Sequence, residues 1–167
     1  FHGPTLAPDG RLYWCGGQHG WTLGDPSPGF DLKGPWTSRA PGVFSSWPDG
    51  SDTRNHAHGG KANPVEVTFT AEGEVLGTVA VYDGINGRHD AVLHWMHGAK
   101  YNLNPGRGDD LPQTSYPLLP PVSRRGWVAP PGLTRYRSGA FGPEYKDDIF
   151  MCEFNTHRVY RLQLERK

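Results

Sequence analysis

Three stretches of the chain repeat one plan, and that repetition limits its fold more than any other feature. Each stretch carries an apolar strand, an acidic turn, a second apolar strand, a loop and a third strand. The first copy runs Gly3-Pro-Thr-Leu-Ala7, Pro8-Asp9-Gly10, Leu12-Tyr-Trp-Cys15 and Gly42-Val-Phe-Ser-Ser-Trp47. The second runs Val65-Glu-Val-Thr-Phe69, Ala71-Glu72-Gly73, Val75 to Val81 and Ala91-Val-Leu-His-Trp95. The third runs Gly132-Leu-Thr-Arg-Tyr136, Pro143-Glu-Tyr-Lys-Asp147, Ile149-Phe-Met-Cys152 and Arg158-Val-Tyr-Arg-Leu162. The turns begin at residues 8, 71 and 143, further apart than the ~40–50 residues that a propeller blade needs. Repeated sheet units with long loops predict an all-β fold whose site lies where the units converge.

Composition supports short aromatic strands joined by long loops. Gly (23) and Pro (16) are abundant and the apolar fraction is only 35%. Six Trp, seven Tyr and seven Phe still supply a core, which argues against disorder. Helix signals are poor: the longest helix-tolerant run, Asp90 to Lys100, has a glycine inside it. Val67 to Tyr82 reads as a hairpin, and Asn155-Thr156 as a tight turn between two final strands. Gln18 to Pro41, Ser51 to Asn63 and Tyr101 to Pro121 read as long loops. One domain over 1–167 is expected, with approximate blades at 1–62, 63–121 and 122–167. Three blades cannot close a ring, so further blades from a longer chain or a partner chain are expected to cover the exposed strand edges. A self-contained sandwich is the alternative.

Lys plus Arg equals Asp plus Glu at 17 each, and no basic block stands out, which argues against nucleic acid or an anionic membrane as partner. No apolar run approaches the ~20 residues of a transmembrane helix. Cys15 and Cys152 occupy equivalent second strands and read as small buried residues, with a disulfide not inferable from sequence. No Cys-x-x-Cys-His marks a c-type haem, and no Gly-x-Ser-x-Gly elbow marks a nucleophile.

Several motifs together resemble one family. His2-Gly-Pro-Thr-Leu-Ala-Pro-Asp-Gly-Arg-Leu-Tyr-Trp14, Val43-Phe-Ser-Ser-Trp-Pro-Asp-Gly-Ser-Asp52, Asn63-Pro-Val-Glu-Val-Thr-Phe-Thr-Ala-Glu-Gly-Glu74 and Gly139 to Phe150 with Phe154-Asn-Thr-His-Arg-Val-Tyr-Arg161 stand in the family's order. They resemble six-bladed quinoprotein (PQQ-dependent) sugar or sorbosone dehydrogenase-like propellers. The nearest branch is the membrane-bound dehydrogenase-like group of planctomycetes and related bacteria. The resemblance implies a partial six-bladed β-propeller, its middle-to-late blades, working in the periplasm or outside the cell. It implies an oxidoreductase acting on sugars or alcohols, with pyrroloquinoline quinone, calcium and a cytochrome as electron acceptor. A non-catalytic binding or scaffolding propeller is the alternative.

In that family a histidine takes the substrate hydroxyl proton, while arginines and a lysine grip the quinone. Carried over, His2 lies close to the catalytic histidine, though out of register. Asn63-Pro64 matches the family's Asn-Pro, with Ala62 where arginine is expected and Lys61 one residue earlier. Asp90 matches an acidic position near the metal, and no arginine is in register at Thr156-His157.

The residues themselves add further candidates. His19 and His157 join His2 and Asp90 as acid–base groups, since each lies at a strand end or in a hairpin. His56-Ala-His58 puts two imidazoles on one face of an extended strand, and His89, Asp90, His94 and His97 form a second group. Together these are candidate transition-metal ligands or exposed loop residues. Gly106-Arg-Gly-Asp-Asp110 offers adjacent carboxylates for calcium, or a solvated loop, and Asp147-Asp148 reads as a turn. Trp14, Trp47 and Trp95 are expected to pack within sheets, while Trp21, Trp36 and Trp127 could stack on a sugar ring from loops.

Overall fold

In the computed structural model, which describes residues 1–17, 19–23, 36–60, 63–83, 87–103 and 117–165, short glycine turns set the strand pairing. Strand β1 (His2–Leu6) turns into β2 (Leu12–Gly16) through Pro8-Asp9-Gly10. The Ala7 N–H donates to Arg11 O, Gly10 N–H donates to Ala7 O, and Asp9 Oδ1 accepts from Arg11 N–H. Gly10 sits at φ +84°, a left-handed position that a side chain resists. Pro48-Asp49-Gly50 repeats the device between β5 (Gly42–Ser46) and β6 (Arg54–Gly60), again with φ +84° at the glycine.

Strands β1, β2, β5 and β6 run as an antiparallel meander. A small hairpin, β3 (Trp21–Leu23) with β4 (Trp36–Ser38), is inserted between β2 and β5. The second meander is β7 (Val67–Phe69), β8 (Val75–Asp83), β9 (Gly87–His94) and β11 (Ser123–Gly126). Between β9 and β11 the chain sends β10 (Lys100–Leu103) back to pair in parallel with β6, making the first sheet five-stranded. The third meander is β12 (Gly132–Arg135), β13 (Ile149–Glu153) and β14 (Arg158–Leu162). The fold is all-β; among the described residues no sheet closes into a barrel and Pro143–Tyr145 forms the one 3-10 turn. Among the described residues no helix is long and apolar enough to cross a membrane.

The second sheet is covered on both faces. Val79, Ala91, Leu93 and Trp95 pack with Tyr13, Cys15, Val43 and Ala57 of the first sheet. The alternate residues Leu76 and Val92 pack with Leu133, Ile149 and Met151 of the third. A strand buried on both sides has no polar face, so Val75 to Val81, interrupted only by Gly77 and Thr78, and Ala91-Val-Leu93 read as apolar runs. The three sheets therefore stack face to face, and their first strands meet, with β7 lying against both β1 and β12. Two hydrogen bonds stitch these strands: Thr5 Oγ1 to Glu66 Oε1 at 3.2 Å and Arg135 N–H to Thr68 Oγ1 at 3.0 Å.

The strand–turn–strand expectation holds for each copy, with three corrections. Within the expected loop 51–63, Arg54–Gly60 is instead the fourth strand β6, held by β5 on one side and β10 on the other. Its sequence, Arg-Asn-His-Ala-His-Gly-Gly, carries no strand-favouring side chain, and the sheet's backbone pairing overrides that propensity. Within the expected loops 18–41 and 101–121 lie β3, β4 and β10. The β13–β14 connection is a four-residue turn, Phe154 to His157, rather than a two-residue one, since Glu153 pairs with Arg158.

Other side chains also depart from expectation. Trp95 is buried, but Trp47 is half out in solvent with Arg11 stacked 4.8 Å above its ring. Both cysteines are free; Cys15 is buried, its thiol pushed up to about 12 by burial, and Cys152 is exposed on the third sheet.

Candidate functional site

The ends of the three sheets border an open cavity of about 320 Å³. His2 enters it from the start of β1, Asn63 and Val65 from the segment before β7, and Val79 with Ala80 from β8. Asp90 comes from β9, Ala129-Pro130-Pro131 from the β11–β12 loop, and Phe154 from the β13–β14 turn. The walls thus come from all three sheets, and residues remote in sequence face one space.

Asp90 holds this end together. Its Oδ2 accepts the Val128 and Ala129 N–H groups, each at 2.8 Å, and the carboxylate is buried. Ala129 is thereby kept at φ 48°, a conformation that non-glycine residues adopt only when their surroundings require it. The same loop receives the last turn: Phe154 N–H donates to Ala129 O, Asn155 N–H to Val128 O, and Asn155 Nδ2 to Trp127 O. Replacing Asp90 by Asn keeps an acceptor but removes the charge from two hydrogen bonds, so Asp90→Asn is expected to cost about 1 kcal/mol in denaturant unfolding.

Three of the sequence candidates, His2, Asn63 and Asp90, therefore share one cavity. Thr156 and His157 lie beside it in the exposed turn, where Thr156 Oγ1 donates to Glu153 Oε2 and the His157 ring meets Phe154 edge-on at 6.5 Å. His19 sits exposed in the turn before β3 and lines no part of the cavity. Lys61 and the Gly106–Asp110 segment lie outside the described residues, as does the Trp36 side chain. Trp21 cannot stack on a ligand: its ring is buried edge-on against Phe44 and its indole N–H donates to Ala40 O. Trp127 is exposed at the cavity's side of the fold.

The expected metal set His56, His58 and Asp90 is not brought together. Among the described residues no three His, Cys, Asp or Glu side chains converge. His56 and His58 do not share a face, because β6 carries an extra residue opposite β5. Ala57 pairs with Val43 and Asn55 with Phe44, which leaves His56 in a bulge that breaks the alternation. His56 turns to the Tyr13 side, stacking on that ring at 4.7 Å, whereas His58 pairs with Gly42 and is buried. Neither His58 ring nitrogen has a hydrogen-bond partner, and burial, with Lys100 adding, pushes the imidazole down to about 4. The second histidine group is also dispersed. His89 contacts Arg124, His94 bonds Glu74 at 2.6 Å, and His97 meets His56.

The described lining supplies no cationic grip for a tricarboxylated quinone, and the expected Lys61 lies outside the described residues. Among the described residues the lining holds no Arg or Lys, and His2 is the one basic side chain there. Arg125 is committed to Glu153, and Arg124 lies against His89. Calcium asks for six to eight oxygens, whereas Asp90 spends one carboxylate oxygen on two amides and Asn63 adds one amide. What the cavity does offer is an apolar wall of Val65, Val79, Pro130, Pro131 and Phe154 facing the His2 and Asn63 side chains. Phe154, Pro130 and Pro131 were not foreseeable as site residues, because turn and proline segments carry no chemical signature of their own. Comparison with family models, curated proteins and solved structures finds no match to this chain.

Proposed function

We propose that the chain forms about three blades of a six-bladed β-propeller of the quinoprotein sugar dehydrogenase-like type, and that the cavity is where this propeller holds a sugar or alcohol. One observation carries the reading. His2, Asn63 and Asp90, picked out by motif resemblance, meet at the end of three stacked meanders whose first strands lie side by side. An apolar wall with a few polar groups suits a polyhydroxylated ring, whose C–H face packs on Phe154 while its hydroxyls meet His2 and Asn63. In this reading His2 takes the hydroxyl proton, Asn63 orients the hydroxyl, and a quinone, if bound, would accept the hydride from the same carbon. A location outside the cytoplasm and a cytochrome as electron acceptor belong to the same reading.

The open flank of the third sheet supports the partial-propeller part of the proposal. A second cavity of about 860 Å³ runs along β7, β12 and β13, with Phe141 and Val159 exposed beside it. In a propeller that face is covered by the next blade, from a longer chain or a partner.

A second reading, a non-catalytic binding or scaffolding propeller, is favoured by the absence of Arg and Lys from the described lining of the cavity. The two separate in one experiment. The protein is supplied with quinone, calcium and an aldose while dye reduction and Trp127 fluorescence are followed. The dehydrogenase expects dye reduction that disappears in His2→Ala. The binding propeller expects a fluorescence change that His2→Ala weakens, without dye reduction. Neither signal with any aldose or alcohol would overturn the site assignment itself.

A further inference from the structure

We propose that His56 and His97 form a two-imidazole clamp for a transition-metal cation of the zinc, copper or nickel class. The site lies on the outer part of the first sheet, apart from the cavity above, and does not rest on the dehydrogenase reading. Both residues stand among the histidine candidates of the sequence, but the structure pairs these two and leaves out His58 and Asp90.

The two Nδ1 atoms stand 3.3 Å apart. Two imidazole nitrogens each ~2.0–2.1 Å from a tetrahedral ion are separated by about 3.3–3.4 Å, so the spacing is that of two ligands on one metal. In the metal-free chain the two nitrogens share a hydrogen bond, which an ion between them would displace.

The surroundings hold His56 as a ligand would be held. A metal-bound imidazole donates its other ring N–H to an oxygen, which fixes the tautomer. His56 Nε2 lies 2.7 Å from Ser45 Oγ, and Ser45 is fully buried. That oxygen also accepts Arg11 Nε at 2.7 Å, and a hydroxyl oxygen has lone pairs for both donors. With its proton on Nε2, His56 presents the Nδ1 lone pair on the side of His97. The ring is further fixed by stacking on Tyr13.

His97 is positioned by the turn after β9. Gly98 N–H donates to His56 O at 2.6 Å and Ala99 N–H to Met96 O at 3.0 Å. The bulge that turns His56 away from His58 therefore turns it toward His97. His97 is exposed, so an ion reaches the pair from solvent, and the remaining coordination positions are open to water or a small ligand.

The test is zinc binding to the full chain by titration calorimetry, with metal content checked after dialysis. One zinc per chain is expected, lost in His97→Asn, whose exposed side chain leaves the fold intact as checked by its denaturation midpoint. Ser45→Ala should weaken binding by about 10–100-fold, the usual consequence of removing an outer-shell acceptor. His94→Gln should leave binding unchanged, because His94 pairs with Glu74 instead. No stoichiometric zinc in the native chain would overturn the site, as would zinc retained in His97→Asn or lost in His94→Gln.

Discussion

Trp95→Ala is expected to lower the unfolding free energy by about 3–5 kcal/mol, a large part of the ~5–15 kcal/mol that holds a domain folded. Trp95 is 2% exposed and lies in the cluster joining the first two sheets. Its ring meets Tyr101 edge-on at 5.1 Å, and its backbone N–H donates to Val75 O. The indole also lies over Gly77, where a Cβ would stand 2.4 Å from Nε1, so glycine makes room for the ring. Removing the indole leaves a void that β8 cannot close without shifting both sheets. Urea denaturation measures the loss as a lower midpoint at an unchanged slope. A change below about 1 kcal/mol, the ordinary size for a surface position, would show that the two sheets do not pack this way in solution.

Stability should fall steeply as the solution is acidified from pH 7 toward 4. Burial pushes both His56 and His58 down from 6.5 to about 4, with His97 adding at the first and Lys100 at the second. Between those values the unfolded chain binds protons that the folded chain refuses. Stability is thus fully present above pH 6.5, and is lost progressively until the folded imidazoles protonate near 4. Each histidine contributes at most about 1.4 kcal/mol per pH unit across that window. His58→Met replaces an imidazole lacking hydrogen bonds by an apolar group, so it should keep stability at pH 7 and flatten the acid slope. Denaturant midpoints over this range check both statements. A flat profile in the native chain would contradict the burial of these imidazoles.

Legibility divided along physical lines. Strands rich in β-branched or aromatic residues, such as Val67–Phe69, Ile149–Glu153 and Arg158–Leu162, announce themselves because those side chains favour a pleated surface. Arg54–Gly60, Lys100–Leu103 and Ser123–Gly126 do not, since they are strands only through the neighbours that pair with them. The same division runs through the sites. His2, Asn63 and Asp90 could be selected from motifs, but that they share a cavity depends on how three sheets stack. His56 and His58 show the limit, because one extra residue in β6 reverses the alternation that sequence spacing predicts.

Local chemistry, then, was written in the chain: turn residues such as Pro8-Asp9-Gly10 and Pro48-Asp49-Gly50 determine where strands reverse, since only certain backbones tolerate those angles. The all-β class follows from them and from the apolar runs between. Tertiary structure alone decided which strands became neighbours, that β10 returns to the first sheet, and that Asp90 anchors the Val128–Ala129 turn rather than standing free for a metal. The reason is that pairing and packing are long-range bargains among backbone amides and buried faces, and no residue carries its distant partner's address.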